Sequence, residues 1–505
     1  MSELDTVERL RERAPMFSRE FADFIAELSC ANAGPDWWTL SLPGKNPLTL
    51  PLVARALAHD ATPPPRAGFK SLLNRLLPAG PLAGLARAAW SLLRARRFGR
   101  MSAPENPTVF FTFFGPNSFD GSGRYRDMFF GPLLDEAARR GLAPLVWGAG
   151  TAHARPGPAD GPVCIPLDYY LGWGDLWRVF RKALSLRASG FVLRGEKKLG
   201  GLDLTALLQD ELDENLNSSR LFSDLWYGAC AQALLRRVTP AALYYPFENL
   251  ARERSFLPLF RERAPKARLI GYQHASLTTN HLNFLLGRGE ADVLPLPDRI
   301  VTTGEATREF LRDWGRFPES ILRAGCALRQ EPAAAAPRDP EPGRFRLLVA
   351  AATSAEELAG IVRLLEEAYG DGLPSGLEIV LRPHPLFPLA GAPGFPFRDG
   401  SGGPLSGRIR EADAVAYVSS TAGIEGLANG VPAIALDLGH PLGIDPLAEV
   451  KDFKWTARDG AGLRAAVDSA RTLPPEERRR LREAAKAWTA RYLTPPSPAT
   501  LEAFF

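Results

Sequence analysis

The apolar positions of this chain fall into short runs bounded by polar and turn-forming residues, and from residue 109 onward these runs alternate with stretches of helical spacing. Uninterrupted apolar runs of about four to eight residues are what strands buried on both faces look like. Strands are therefore predicted at residues 109–114, 143–147, 163–166, 242–246, 269–272, 299–302 and 322–326, with intervening helices that include 125–140 and 250–263. A second series follows, with strands at 346–350, 378–381, 414–418 and 433–436, a helix at 355–369 and a charged helix at 475–492. Strand and helix in alternation predict parallel sheets covered by helices. Between the series, residues 331–343 are rich in proline and alanine and carry no period, which reads as an interdomain linker. The expected architecture is α/β: a mostly helical extension over 1–105, Rossmann-like domains over 106–330 and 344–490, and a tail over 491–505.

Composition narrows the class without naming a function. The 505 residues are too many for one hydrophobic core, and the 45% hydrophobic and 23% charged content is that of an ordinary globular chain. The net charge of +4, from 61 basic and 57 acidic residues, gives no global case for nucleic-acid binding. Cys30, Cys164, Cys230 and Cys326 are far apart and form no Cys-x-x-Cys pair, as expected of reduced residues in a cytosolic protein. The start, Met1-Ser2-Glu3-Leu4-Asp5, lacks the basic and apolar segments of a secretory signal, and no apolar stretch reaches the ~18 residues of a spanning helix. The expected location is the cytoplasm.

Polar residues cluster at two of the predicted strand tips. The strand 378–381 runs into Arg382 and His384, set between Pro383 and Pro385, which stop any helix there. The strand 414–418 runs into Ser419-Ser420-Thr421, ahead of a short helix closed by Asn429-Gly430. One hydroxyl suffices for a helix cap; three, beside a histidine and an arginine, suit an anion such as a nucleotide phosphate. In doubly wound sheets ligands bind beyond the carboxyl ends of the strands.

Arg382-Pro383-His384-Pro385 resembles the His-Pro motif, and Ser419-Ser420-Thr421 the paired Ser/Thr motif, of bacterial GT-B glycosyltransferases that use CMP-activated sugars, such as sialyltransferases and capsule Kdo transferases. The arrangement is also similar in wall-polymer glycerophosphotransferases, which use CDP-glycerol. Tyr245-Pro246-Phe247-Glu248-Asn249, Gly271-Tyr272-Gln273-His274 and residues 125–133 resemble a bacterial family labelled surface carbohydrate biosynthesis proteins. The resemblance implies two Rossmann-like domains facing a central cleft. It also implies a nucleotide sugar, CMP-linked, as co-substrate and no cofactor, with a glycan, lipid-linked or protein acceptor and no nucleic acid. Arg382, His384, Ser419, Ser420 and Thr421 would then hold the nucleotide.

A transferase also needs a base for the acceptor hydroxyl. Glu248, beyond the strand 242–246, and His274, beyond 269–272, are the candidates that strand-tip position favours, and either reads equally as structural. Asp120, in the glycine-rich loop 115–124, is a third. Asn117, Arg124, Asn249, Arg252 and Gln273 lie beside these groups and are the expected acceptor or sugar contacts.

No Asp-x-Asp, His-x-x-x-His, P-loop or Gly-x-Ser-x-Gly pattern occurs, so a metal-dependent transferase, a zinc hydrolase, a P-loop ATPase and a lipase-like hydrolase are disfavoured; no metal site is expected. Two stretches, 69–97 and 173–198, mix arginine and lysine with aromatic or leucine residues. Each suits either the headgroup zone of the inner membrane or a solvated basic face over a packed core. The expected function is metal-independent glycosyl transfer. The rivals are a CDP-alditol phosphotransferase, a nucleotide-sugar epimerase, and a scaffold that binds without turnover.

Overall fold

Both predicted series of strands are present, each as one parallel sheet. The computed structural model describes residues 3–45, 78–99, 101–157, 161–329, 339–351, 354–384, 394–440 and 442–505, with the backbone alone for 3–7. The chain divides into two compact units: Pro15–His274, His281–Arg329 and Pro496–Phe505 form one, and Met1–Ala14, Ala275–Asn280 and Gln330–Pro495 the other.

In the first unit, β1 (Thr108–Phe113), β2 (Pro144–Ala149) and β3 (Val163–Pro166) run outward on one side. A small hairpin, β4 (Lys198–Leu199) with β5 (Leu202–Asp203), stands apart. The chain then returns to the other side of β1 with β6 (Ala242–Pro246), β7 (Arg268–Tyr272), β8 (Arg299–Thr302) and β9 (Leu322–Ala324). The order is β3-β2-β1-β6-β7-β8-β9, and every pairing is parallel. The reversal therefore falls between β1 and β6, and the carboxyl ends of those two strands open the crevice where such sheets bind ligands. Phe110, Tyr244 and Ile270 fill the core beneath. The C-terminal segment belongs to this unit: Tyr244 donates its hydroxyl hydrogen to the Phe504 carbonyl at 2.8 Å, and Phe504 packs edge-on against Tyr272.

The second unit repeats the scheme. β10 (Phe345–Ala350), β11 (Leu377–Arg382) and β12 (Arg398–Asp399) go one way, and β13 (Ala414–Tyr417), β14 (Ala433–Leu436) and β15 (Lys454–Ala457) the other, giving the order β12-β11-β10-β13-β14-β15. Its switch point lies between β10 and β13. The helix Pro475–Tyr492 anchors here through Arg482, which donates to the Gly430 carbonyl at 3.1 Å, and Tyr492, whose hydroxyl accepts the Leu277 N–H at 2.7 Å.

The α/β class and the two Rossmann-like domains are as expected, and most strand bounds agree within a residue or two. One expected helix is shorter than its pattern suggested. Residues 125–140 form a helix only from Gly131 to Arg139. Ahead of it the Asp127 carboxylate accepts the N–H groups of Phe129 and Phe130 at 2.6 and 2.7 Å, holding that segment as a turn. Two sheet-edge strands, β12 and β15, escaped the sequence reading because exposed positions break their apolar runs. Most of the expected linker lies outside the described residues. The described part of the N-terminal extension is helical, with Glu3–Asn32 and Ala79–Ala95 as its long elements.

Candidate functional site

Each unit brings its polar candidates to its own switch point. In the first, Glu248 follows β6 directly and His274 follows β7, on the neighbouring strand. Their side chains meet, with Nε2 of His274 3.6 Å from Oε1 of Glu248. The other carboxylate oxygen is bound by Nη2 of Arg252, one helical turn on, and that guanidinium lies 5.2 Å from the Phe113 ring at the end of β1. Glu248 is 28% exposed, so one face of the carboxylate is open to solvent while both oxygens are oriented.

His274 is buried against Phe129, with ring centroids 4.7 Å apart. Burial holds its pKa down to about 3, with Arg329 and, less strongly, Arg252 acting in the same direction and the Tyr272 backbone opposing them. The imidazole is therefore neutral at physiological pH, and an Nε2–H tautomer presents a hydrogen to Glu248. The contact is a polar one between a neutral ring and a carboxylate, longer than an ideal hydrogen bond.

The backbone that carries Glu248 is fixed by residues the sequence reading missed. Glu253 is buried and accepts the N–H groups of Glu248 (3.0 Å) and Asn249 (2.8 Å), an acidic side chain closing the start of the helix Ala251–Arg263. Burial pushes Glu253 up to about 8, against the pull of Arg252. Asn283 donates to the Glu248 carbonyl at 2.8 Å, while Asn249 donates to the Asn283 carbonyl at 2.7 Å. Glu253 could have been found, since an acidic residue in a first helical turn is a recognised signal; Asn283 could not, because it arrives from a distant loop. Burial also raises Asp224, a neighbour of Arg252, to about 7.

Several expected contacts take other roles. Asn249 is 2% exposed, and with φ at +54° its amide serves the turn, so it is no acceptor contact. Gln273 is likewise fully buried and does not present its side chain to an acceptor. Asp120 caps its own loop: Oδ1 accepts from Ser122 N, Ser122 Oγ and Arg124 N, at 3.0, 2.6 and 3.0 Å. The Ser122 hydroxyl holds it below the ordinary carboxylate range, which makes it a poor base. Asn117 and Arg124 are exposed on that loop, closed by a bridge between Phe119 and Tyr125.

In the second unit, Arg382 and His384 follow β11, and Ser419, Ser420 and Thr421 follow β13, on either side of β10. All belong to the carboxyl edge of one parallel sheet. Arg382 is committed locally, with Nη1 donating to the carbonyls of Gly400 and Gly402 at 2.9 Å each and Nη2 to Gly403 at 2.8 Å. It thus shapes the loop beyond β12. His384 is half-buried, and Pro385 lies outside the described residues.

Two hydroxyls of the trio face carboxylates. Ser419 Oγ donates to Glu357 Oε1 at 3.3 Å and Thr421 Oγ1 to Glu425 Oε1 at 3.1 Å, while Ser420 Oγ accepts the Ala422 N–H at 3.3 Å. Glu357 opens the helix Ala355–Tyr369 beyond β10, so the Ser419 bond spans the switch point. Burial pushes Glu357 up, and the Ser419 hydroxyl opposes the shift. Carboxylates beside hydroxyls suit a diol such as a ribose at least as well as a phosphate, a feature that the sequence order concealed. The helix Ala422–Ala428 packs its Gly423 against Tyr417, where an added Cβ would lie 2.6 Å from the ring. Among the described residues no group of three or more histidine, cysteine, aspartate or glutamate side chains could hold a metal ion, and no helix is long and apolar enough to cross a membrane.

No family model matches the chain, and no curated protein matches it. Solved structures do. The glycosyltransferase SnogD from Streptomyces nogalater shares 14% identity at a TM-score of 0.44, over 79% of this chain and 99% of that one. CalG4, the calicheamicin glycosyltransferase, shares 13% identity at a TM-score of 0.43, over 79% and 98%. A putative UDP-N-acetylglucosamine 2-epimerase from Listeria monocytogenes shares 11% at 0.41, over 75% and 91%. Likeness at this level says nothing of substrate, and the fold rests on the two doubly wound sheets.

Proposed function

We propose that the chain is a GT-B glycosyltransferase in which the first unit supplies the base and the second holds the nucleotide. The observation that carries the proposal is the grip on Glu248: an open carboxylate at a switch point, one oxygen bound by Arg252 and the other facing His274. Glu248 takes the proton of an acceptor hydroxyl, whose oxygen attacks the anomeric carbon of the donor sugar. The bond from that carbon to the phosphate oxygen breaks, and the nucleotide leaves with the electron pair. His274, neutral and buried at Nδ1, acts through its Nε2–H as a positioning residue.

In the second unit His384 and the hydroxyls of Ser419, Ser420 and Thr421 receive the nucleotide, with Glu357 and Glu425 turned toward ribose hydroxyls. Arg382 contributes by fixing the glycine loop. The Arg-Pro-His-Pro and Ser-Ser-Thr motifs favour a cytidine nucleotide, and with it an acidic sugar of the Kdo or sialic-acid type, carried to a surface-polysaccharide, lipid-linked or protein acceptor. The test is nucleotide release from CMP-, CDP-, UDP- and GDP-linked donors, with products identified by mass. Release with sugar transfer, lost in Glu248→Gln, supports the proposal. Transfer of an alditol phosphate, epimerisation without release, or binding without turnover would each replace it with one of its rivals.

A further inference from the structure

Two helices of the first unit carry the exposed tryptophans that the proposed reaction does not use. On Ala79–Ala95, Leu82, Trp90 and Leu93 are exposed, at spacings that place them along one side, and Trp90 is 50% exposed. On Trp173–Ser189, Trp173 and Trp177 stand one turn apart, with Trp177 56% exposed. The buried residues Ala88, Leu92 and Ala95 lie on the opposite face of the first helix; on the second, Leu176, Phe180 and Ala183 lie on the adjoining face, with the Trp177 and Phe180 rings 5.5 Å apart. The helices pack together, and Arg96 lies 5.4 Å from the Trp173 ring, joining the end of one exposed row to the start of the other. Arg94 covers the Trp90 ring at 3.8 Å.

Charge is strongly one-sided here. Residues 79–98 include Arg87, Arg94, Arg96 and Arg97 and no aspartate or glutamate. On the second helix Asp175 pairs with Arg178, and Lys182 pairs with Asp36 at 2.8 Å. Arg87, Arg94, Arg96, Arg97 and Arg181 have no carboxylate partner among the described residues. A protein facing only water gains nothing from large indole surfaces beside unbalanced arginines. A bilayer headgroup zone rewards both, because indoles seat at its depth and guanidinium groups meet lipid phosphates.

We infer that this face docks on an anionic lipid surface, with Trp90, Leu93, Trp173 and Trp177 entering the headgroup region and the unpaired arginines held at phosphate level. A neutral surface would leave those arginines without partners, and a water-soluble polyanion would leave the indoles exposed. The anionic bilayer is the occupant that satisfies both.

The test is flotation of the full chain with vesicles of zwitterionic lipid alone, or with about one third of an anionic phospholipid. Binding is expected to the anionic vesicles, falling steeply as salt rises, and at least about tenfold weaker to the zwitterionic ones. The double variants Trp90→Ala/Trp177→Ala and Arg96→Glu/Arg97→Glu should each lower binding about tenfold or more, with the melting temperature and circular dichroism unchanged. The substituted side chains are exposed, so folding should survive; a pair that does unfold is replaced by Leu93→Ala with Arg87→Glu, read in the same assay. Three outcomes would overturn the inference: no binding to anionic vesicles, binding unaltered in both double variants, or a dimer in solution that the tryptophan variants dissociate. Binding to heparin or RNA that equals vesicle binding and ignores the tryptophans would overturn it also.

Discussion

Nε2 of His274 lies 3.6 Å from Oε1 of Glu248, so two residues that chain order offers as alternative bases are one arrangement. The open group is the carboxylate and the buried group is the ring, and on the proposed function the first is the base and the second its positioning partner. Glu248→Gln keeps the shape and removes the basicity. Turnover should fall about 10²- to 10⁴-fold while nucleotide affinity stays within about twofold, read as kcat against the nucleotide Kd. A loss confined to nucleotide affinity would contradict the assignment.

Burial of His274 predicts a pH effect of defined sign. Its folded pKa is about 3, below the ordinary 6.5, so between those values the unfolded chain binds a proton that the folded one does not. Its contribution is fully present above pH 6.5 and is lost as pH falls toward 3, by up to ~1.4 kcal/mol per pH unit. The stability gap between the protein and His274→Asn should therefore narrow between about pH 7 and pH 5, measured by urea unfolding. His281, also depressed by burial, is common to both proteins and cancels in the difference. A gap that holds constant across this range would contradict a buried neutral ring.

The turn behind Glu248 gives a stability prediction. Asn249→Ala removes the amide that satisfies the Asn283 carbonyl and leaves at φ +54° a residue that tolerates the left-handed region less well than asparagine, so a loss of about 2–4 kcal/mol is expected. Asn249→Gly loses the same amide but has no Cβ to strain at that angle, and should recover roughly 1 kcal/mol of that loss. Equal losses in denaturant titrations would show that the backbone angle is immaterial.

Gly423→Ala tests how the hydroxyl trio is placed. The new methyl would meet the buried Tyr417 ring, whose hydroxyl donates to Asp445 at 2.7 Å and resists displacement. Stability should drop by about 1–3 kcal/mol, and nucleotide affinity should fall with it because the helix start must shift. An unchanged affinity, measured by calorimetry, would separate the trio from nucleotide binding.

How much was legible in the sequence follows from the range of the forces involved. Val109, Leu243, Ile379 and Val415 announce their strands because burial on both faces demands unbroken apolar runs, and the strand tips then point to Glu248, His274, His384 and Ser419. Side-chain commitments were hidden because they depend on partners remote in sequence. Ser419 and Glu357 meet across a switch point, Asn249 is absorbed by Asn283, and Arg382 turns to the glycines beyond β12. Local signals were stronger than the reading allowed in one place: Asp127, placed before Phe129 and Phe130, was a turn cap that shortened the expected helix.

The central claim is that the second unit holds a nucleotide through His384 and the hydroxyls of Ser419 to Thr421. Thermal shift of the full chain against CMP, CDP, UDP and GDP, repeated on His384→Ala and on Ser420→Ala/Thr421→Ala, tests it most directly. One nucleotide, with CMP expected to lead, should stabilise the protein by ~2.7 kcal/mol at a hundredfold excess over its Kd, and both variants should lose that gain. No response to any of the four, or an equal response in the variants, would contradict it.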